Sequence, residues 1–153
     1  MSVSADHTVA KFHSAIRWGK EVDELKTIAK GVKDTLGLDA AESADPQNGN
    51  RALHLASQNG HMNIVRWLVE ECKVDVNSQN GKGQTPLHMS VAYDFYFVTK
   101  LLLKNNAKQD VKNGDDNLAI TGIDGDHELG NPKTSWDAPI NSLKAVSSQE
   151  EML

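Results

Sequence analysis

The chain has few of the residues that mark several whole classes of protein. A single cysteine, Cys72, stands among 153 residues, so no disulfide can form within the chain and a reducing compartment is expected. Cys72 ends an apolar-striped segment with no cationic pair or helix N-terminus evident beside it, which marks it for packing and not for reactivity. Apolar runs are only a few residues long, too short to cross a bilayer. Residues 1–7 have neither a basic start nor an apolar core, so no secretory leader is expected. No basic cluster of the nuclear type occurs, so the expected location is the cytoplasm, with the nucleus as the alternative. Positive charge is scarce as well: 16 Lys and Arg against 21 Asp and Glu give a net charge of -5. That balance offers no footprint for nucleic acid or an anionic membrane and serves solubility.

Motifs that carry chemistry are also missing. There is no glycine-rich phosphate loop, no Gly-x-Ser-x-Gly elbow, no His-Glu-x-x-His pair and no Cys-x-x-Cys cluster. Asp126 and His127 have no nucleophile set beside them by any motif. No catalytic residue, metal site or cofactor is therefore expected. The acidic run of Asp115, Asp116, Asn117, Asp124, Asp126 and Glu128 is calcium-loop-like in composition. However, the sixth position from Asp115 is Ile120, where such a loop needs glycine. Capping of fingers and helices by acidic side chains is the better reading.

What is present is a repeat. Gly49-Asn50-Arg51-Ala52-Leu53-His54-Leu55-Ala56 and Gly83-Gln84-Thr85-Pro86-Leu87-His88 place Gly, Leu and His at the same offsets, 34 residues apart. A period in that range marks a stacked scaffold that serves binding. Leu53 and Ala56 share one face of a first short helix, and Ile64, Val65, Leu68 and Val69 form the apolar stripe of a second. Gly60 closes the first helix in the left-handed conformation, and Pro86 starts its helix where no amide donor is lost.

These residues resemble the ankyrin repeat. Thr85-Pro86-Leu87-His88 is that family's hallmark, and Gly60-His61, Ile64-Val65, Leu68-Val69 and Asp75-Val76-Asn77 match its later positions. The resemblance implies an all-α solenoid of stacked helix-turn-helix units with β-hairpin fingers. Departures are Arg51-Ala52 for Thr-Pro, one extra residue near Glu71-Cys72-Lys73, Asp94 for a glycine, Ser90 for the small Ala, and Asn105-Asn106-Ala107 for Gly-Ala. Asp tolerates the left-handed region better than most residues.

About four units of this size fit the chain: a degenerate capping repeat at 8–44, full repeats at 45–78 and 79–112, and a degenerate last repeat at 113–147, with flexible tails at 1–7 and 148–153. Aligning Gly19 with Gly60 sets Phe12, His13 and Ala15 at the Leu53, His54 and Ala56 positions. The 31–45 region is about seven residues longer than the later period allows, and Gly37 with Asp45-Pro46 predicts a long loop there. Such a loop either closes the N-terminal side of a binding surface or is a tolerated insertion. In the last unit Gly114 precedes Leu118 as Gly49 precedes Leu53, so 115–125 reads as a first helix. Gly130-Asn131-Pro132 breaks the pattern. Ile140, Leu143 and Val146 recur at helical spacing around Pro139, so 137–146 reads as a displaced second helix.

The resemblance further implies a partner protein on the concave side, built from finger tips and the exposed face of each first helix. Carried over by position, the helical residues are Arg17-Trp18, Gln58-Asn59, Ala92-Tyr93 and Ile123-Asp124. The fingers add Gln47, Asn48 and Asn50, then Gly81, Lys82 and Gln84, then Asn113 and Asp115. Trp18 and Tyr93 would stand about 20 Å apart if each unit advances about 10 Å, and Trp, Tyr and Arg dominate interface energetics. The alternative is that Trp18 packs under the first loop and Tyr93 under the third finger. Phe95, Tyr96 and Phe97 cannot share one helical face, so they either form a rear contact surface or pack on the following unit. Trp67 reads as a partly buried wedge and Trp136 as a pin for the irregular segment. His54 and His88 sit where the family's histidine bonds backbone between units. Asn77 sits where ankyrin domains can be hydroxylated, and otherwise closes its finger.

The expectation is a non-catalytic adaptor, a monomer by itself, that binds a partner protein and neither nucleic acid nor membrane. The alternative is a regulator that inhibits a partner enzyme, because the unit count resembles that of the four-repeat ankyrin inhibitors of cyclin-dependent kinases.

Overall fold

In the computed structural model, which describes residues 3–138, the repeat spacing becomes three helix pairs and one closing turn. The pairs are α1 (Val3–Arg17) with α2 (Val22–Leu36), α3 (Ala52–Gln58) with α4 (Met62–Arg66), and α5 (Pro86–Ala92) with α6 (Tyr96–Lys104). First helices pack in a row, α1 on α3 and α3 on α5, and α5 then meets a 3-10 turn at Ala119–Thr121. Phe12, Leu53 and Leu87 occupy equivalent positions along that row and are fully buried, as are Val65, Leu68, Val98 and Leu102 from the second helices. Burying one such side chain stabilises by roughly 1.5–3 kcal/mol, and no unit could bury its own row without a neighbour. Trp67 is buried edge-on against Phe12, with ring centroids 6.4 Å apart.

Each departure from the repeat pattern is absorbed locally. The extra residue near Cys72 is taken up as a π-helical turn, Trp67–Glu71, that continues α4, with the Cys72 amide reaching back five residues to the Trp67 carbonyl at 3.0 Å. Asp94 adopts φ 59°, the left-handed turn that Gly60 makes one unit earlier. Ser90 replaces the small Ala56, and Thr99 stands where Val65 does. Their hydroxyls lie 2.8 Å apart, and each has a backbone carbonyl within reach, Leu87 for Ser90 and Phe95 for Thr99. The buried polar pair is therefore satisfied.

Four expectations change. The helix α1 starts at Val3 and not at Thr8. The first part of the 31–45 stretch is helix instead of loop: α2 runs straight through Gly31 and ends at Gly37, φ 69°, so additional residues lengthen a helix by turns. The remaining connection is anchored by a 3-10 turn, Ala40–Glu42, with Ala40 and Ala41 buried. Glu42 accepts from the Arg51 guanidinium and from the Asp75 amide, each at 3.1 Å. In the last unit, 115–125 is not a helix. Only Ala119–Thr121 is helical, as a single 3-10 turn, and Gly122 at φ 78°, ψ -162° stops it, while the Asn113 and Asn117 side chains both donate to the Ile123 carbonyl and hold the loop closed. The fingers are linked turns, and among the described residues the β-structure is one isolated antiparallel bridge, Lys112 to Leu118. Pro139, Ile140, Leu143, Val146 and the tail at 148–153 lie outside the described residues.

Beyond the last turn, the chain folds back over the start of α6. The Ser135 hydroxyl accepts from the Tyr96 amide at 2.7 Å, and the Asp137 carboxylate accepts from the Val98 amide at 2.8 Å. Both satisfy helix N-terminal donors that have no intrahelical partner. Trp136 between them is 73% exposed, so its neighbours, and not its ring, fix this segment.

Two glycine substitutions test this fold. In Gly60→Ala the new methyl group would sit 2.4 Å from the Phe95 ring at φ 68°, and a loss of about 2–4 kcal/mol is expected from strain plus collision. Gly31 lies mid-helix with nothing near its Cβ position, so Gly31→Ala should gain about 0.5–1 kcal/mol. Urea denaturation reads both, and a destabilised Gly31→Ala would contradict a continuous α2.

Candidate partner-binding groove

Each finger is a turn organised by a carboxamide or carboxylate. In the second finger the Asn80 Oδ1 accepts from the Lys82 and Gln84 amides at 2.9 and 3.0 Å, and in the third the Asn113 Oδ1 accepts from the Asp115 and Asn117 amides, both at 3.0 Å. In the first, the Asp45 carboxylate takes the Gln47 amide at 2.8 Å. The tips are bonded to one another: the Gly81 amide donates to the Asn48 carbonyl and the Gly114 amide to the Lys82 carbonyl, each at 2.8 Å. Asn80 Nδ2 adds a bond to Asn50 Oδ1 at 2.8 Å.

Imidazoles lock the fingers to the helices. His54 Nδ1 accepts from the Arg51 amide at 3.1 Å and His88 Nδ1 from the Thr85 amide at 3.0 Å. With Nδ1 accepting, the ring proton is on Nε2, which donates to the Gln84 carbonyl from His54 at 2.8 Å and to the Asn117 carbonyl from His88 at 3.0 Å. His13 places its Nε2 3.0 Å from the Ser43 carbonyl in the same way. These rings are buried, and burial lowers the pKa of all three, that of His54 from 6.5 to about 4.

Between fingers and first helices lies a groove of about 500 Å³. Gln47, Asn48, Asn50, Lys82 and Gln84 line it from the fingers, Gln58 from the end of α3, and Tyr93, 44% exposed, from the end of α5. Lys82 is its one charged side chain.

A sequence profile for ankyrin repeats matches three copies over residues 12–113. The chain belongs to the ankyrin-repeat family. Similar proteins include alpha-latrocrustotoxin-Lt1a of Latrodectus tredecimguttatus, 37% identical over 54% of this chain and 6% of that protein. Palmitoyltransferase AKR1 of Lachancea kluyveri is 31% identical over 69% of this chain and 14% of its own length. NF-kappa-B inhibitor zeta of Homo sapiens is 28% identical over 61% of this chain and 14% of its own length. This ankyrin-repeat chain thus spans 14% or less of these relatives.

The remaining expected residues of the ankyrin groove lie apart from it. Trp18 is 76% exposed, so it does not pack under the first connection. It borders a separate hollow on the α1–α2 face with Ala10, Lys11, Ala15, Glu24 and Ile28. Arg17 is exposed, and its carbonyl is 2.9 Å from His61 Nε2. The Asn59 side chain donates to the Leu55 carbonyl at 2.8 Å and ends α3. Asp115 and Asp124 are exposed but do not line the groove, whereas Ile123 does. Sequence reasoning named Ile123 but missed Asn80 and Met89 as groove residues. The equivalence of Asn80 with Asn113 was a usable signal for the first, and the four-residue step from Met89 to Tyr93 on α5 was one for Met89.

Other singled-out residues have structural partners. The Phe95 ring covers Gly60 as the His61 ring covers Gly19. Tyr96 and Phe97 meet edge to face at 5.3 Å, with the Lys100 ammonium 5.8 Å from the Tyr96 ring centre. Burial, then Asp39 and Glu71, push the Cys72 thiol up to about 11, so it stays protonated at neutral pH. The Asn77 side chain accepts from the Lys108 amide at 2.8 Å and donates to the Asn106 carbonyl at 3.3 Å, joining two units.

The histidines set a pH dependence. His54 titrates at 6.5 when unfolded and at about 4 when folded. Below pH 6.5 the unfolded chain therefore binds more protons, and stability falls as pH falls, down to about 4. His54 alone accounts for about 3 kcal/mol over that window, with His13 and His88 acting in the same direction. Urea denaturation from pH 7.5 to 4.5 measures this, and an unchanged unfolding free energy would contradict neutral, bonded imidazoles.

Proposed function

We propose that this ankyrin-repeat chain is a non-catalytic interaction scaffold that takes a partner protein in the groove between its fingers and first helices. The observation that carries the reading is the convergence of Gln47, Gln58, Lys82, Gln84 and Tyr93 on one hollow, on a frame whose turns are cross-bonded. A preformed surface lowers the ordering cost of binding. The frame also places the Tyr93 ring, 44% exposed, at the groove, a residue type that contributes strongly to interfaces.

Affinity capture from the native extract tests this with two variants checked for unchanged melting. A stoichiometric partner should be lost with Tyr93→Ala, Lys82→Ala and kept with Trp18→Ala. Loss with Trp18→Ala alone would move the contact to the α1–α2 face. The second reading, a regulator that inhibits its partner, is supported by the likeness to NF-kappa-B inhibitor zeta. If the captured partner is an enzyme, slowed turnover on adding the chain favours that reading, and unchanged turnover favours the adaptor.

A further inference from the structure

The polar side chains of the groove fall into two sets. Asn48, Asn50 and Asn80 are committed to the frame: Asn48 Oδ1 takes the Asn50 amide at 2.8 Å, and Asn80 bonds to Asn50, Lys82 and Gln84. The carboxamides of Gln47, Gln58 and Gln84 make no hydrogen bond to another described residue, and Lys82 has no ion-pair partner among them. Each such carboxamide offers a donor and an acceptor together, the same complement as a peptide unit. A helix or a folded face has those backbone groups already paired internally. An extended segment presents both at every residue, about every 3.3 Å.

The rest of the lining narrows the occupant. Met89 and Tyr93 lie on one face of α5, and Ile123 reaches in from the last unit, so one stretch of the groove is apolar. Lys82 is the one charged side chain of the groove lining, on a chain of net charge -5, which fixes where an acidic side chain can sit and disfavours a wholly acidic ligand.

We propose that the groove recognises an extended, unfolded segment of a partner protein through its backbone, with one acidic side chain opposite Lys82 and one apolar side chain on Met89, Tyr93 and Ile123. This rests on the reading of the groove as the partner site and names its ligand class.

The test selects phage-displayed random peptides about twelve residues long, about 40 Å when extended, on the full chain. Selected peptides are then synthesised with single backbone N-methyl groups, and their binding is measured by fluorescence polarisation to wild type, Lys82→Glu and Gln58→Ala, Gln84→Ala, each checked for unchanged melting. The expected peptides carry an acidic residue at a fixed distance from an apolar one. N-methylation at groove-facing positions should weaken them about 10-fold, and the glutamine double variant by a similar factor. Lys82→Glu should cost at least about 10-fold, with the difference shrinking in added salt. Failure to select any peptide, indifference to N-methylation, or unchanged binding to Lys82→Glu would overturn the proposal. If the peptides fail while the captured partner is still lost with Tyr93→Ala, Lys82→Ala, the groove reading survives and its occupant is a folded face. If both fail, the groove reading falls as well.

Discussion

A neutral imidazole at the start of one first helix, reaching the finger carbonyl of the next unit, is the contact on which the rest of the frame depends. One ring nitrogen accepts the amide at the helix start, and that fixes the proton on the other nitrogen, which points at the neighbour. A single residue thus caps its own helix and sets the distance to the next finger. The cost is that the ring must stay uncharged in a buried place, where a proton would lose its hydration and the acceptor at Nδ1. The same geometry recurs from His54 to His88, so the fingers are held at a common spacing and the groove between them inherits its shape from the stack.

The ends of the array are finished differently. At one end, α1 and α2 leave a hollow bordered by the exposed indole of Trp18. At the other, the Ser135 and Asp137 side chains sit over the start of α6 in the place that a further unit would fill. His61 covers Gly19 and Phe95 covers Gly60, and the carbonyl of Asp94, the next residue in that series, is met by the Ser135 hydroxyl and the Trp136 amide. Irregular chain can take over from a repeat there because only a few helix-end donors need partners.

Most of the stack was legible in the sequence because its determinants are local and spaced: Thr85-Pro86-Leu87-His88 writes a cap, a core side chain and the linking imidazole in four residues. Finger residues such as Gln47 and Lys82 could be named because the turns repeat. Errors arose where a residue has two local meanings. The extra length of 31–45, with Gly37 and Asp45-Pro46, reads as loop, yet α2 has enough good helix formers around Gly31 to run on as far as Gly37. The acidic 115–125 run offers helix spacing, but Asn113 and Asn117 compete for the backbone and close it as a loop. Trp18 occupies the position of a groove residue, but in the capping unit it borders the hollow between α1 and α2. Which carboxamides remain free for a ligand depends on three-dimensional pairing that no spacing reveals.

Amide hydrogen exchange by NMR at Gly81 and Gly114, whose N–H groups bond to the Asn48 and Lys82 carbonyls of adjacent fingers, tests most directly whether the fingers form one rigid frame. At neutral pH both amides should be protected to the same order as the buried amides of α5, since opening a finger requires separating it from its neighbour. Exchange at the rate of an unstructured peptide, with the helices still protected, would mean that the fingers move as independent flaps and that no preformed groove exists.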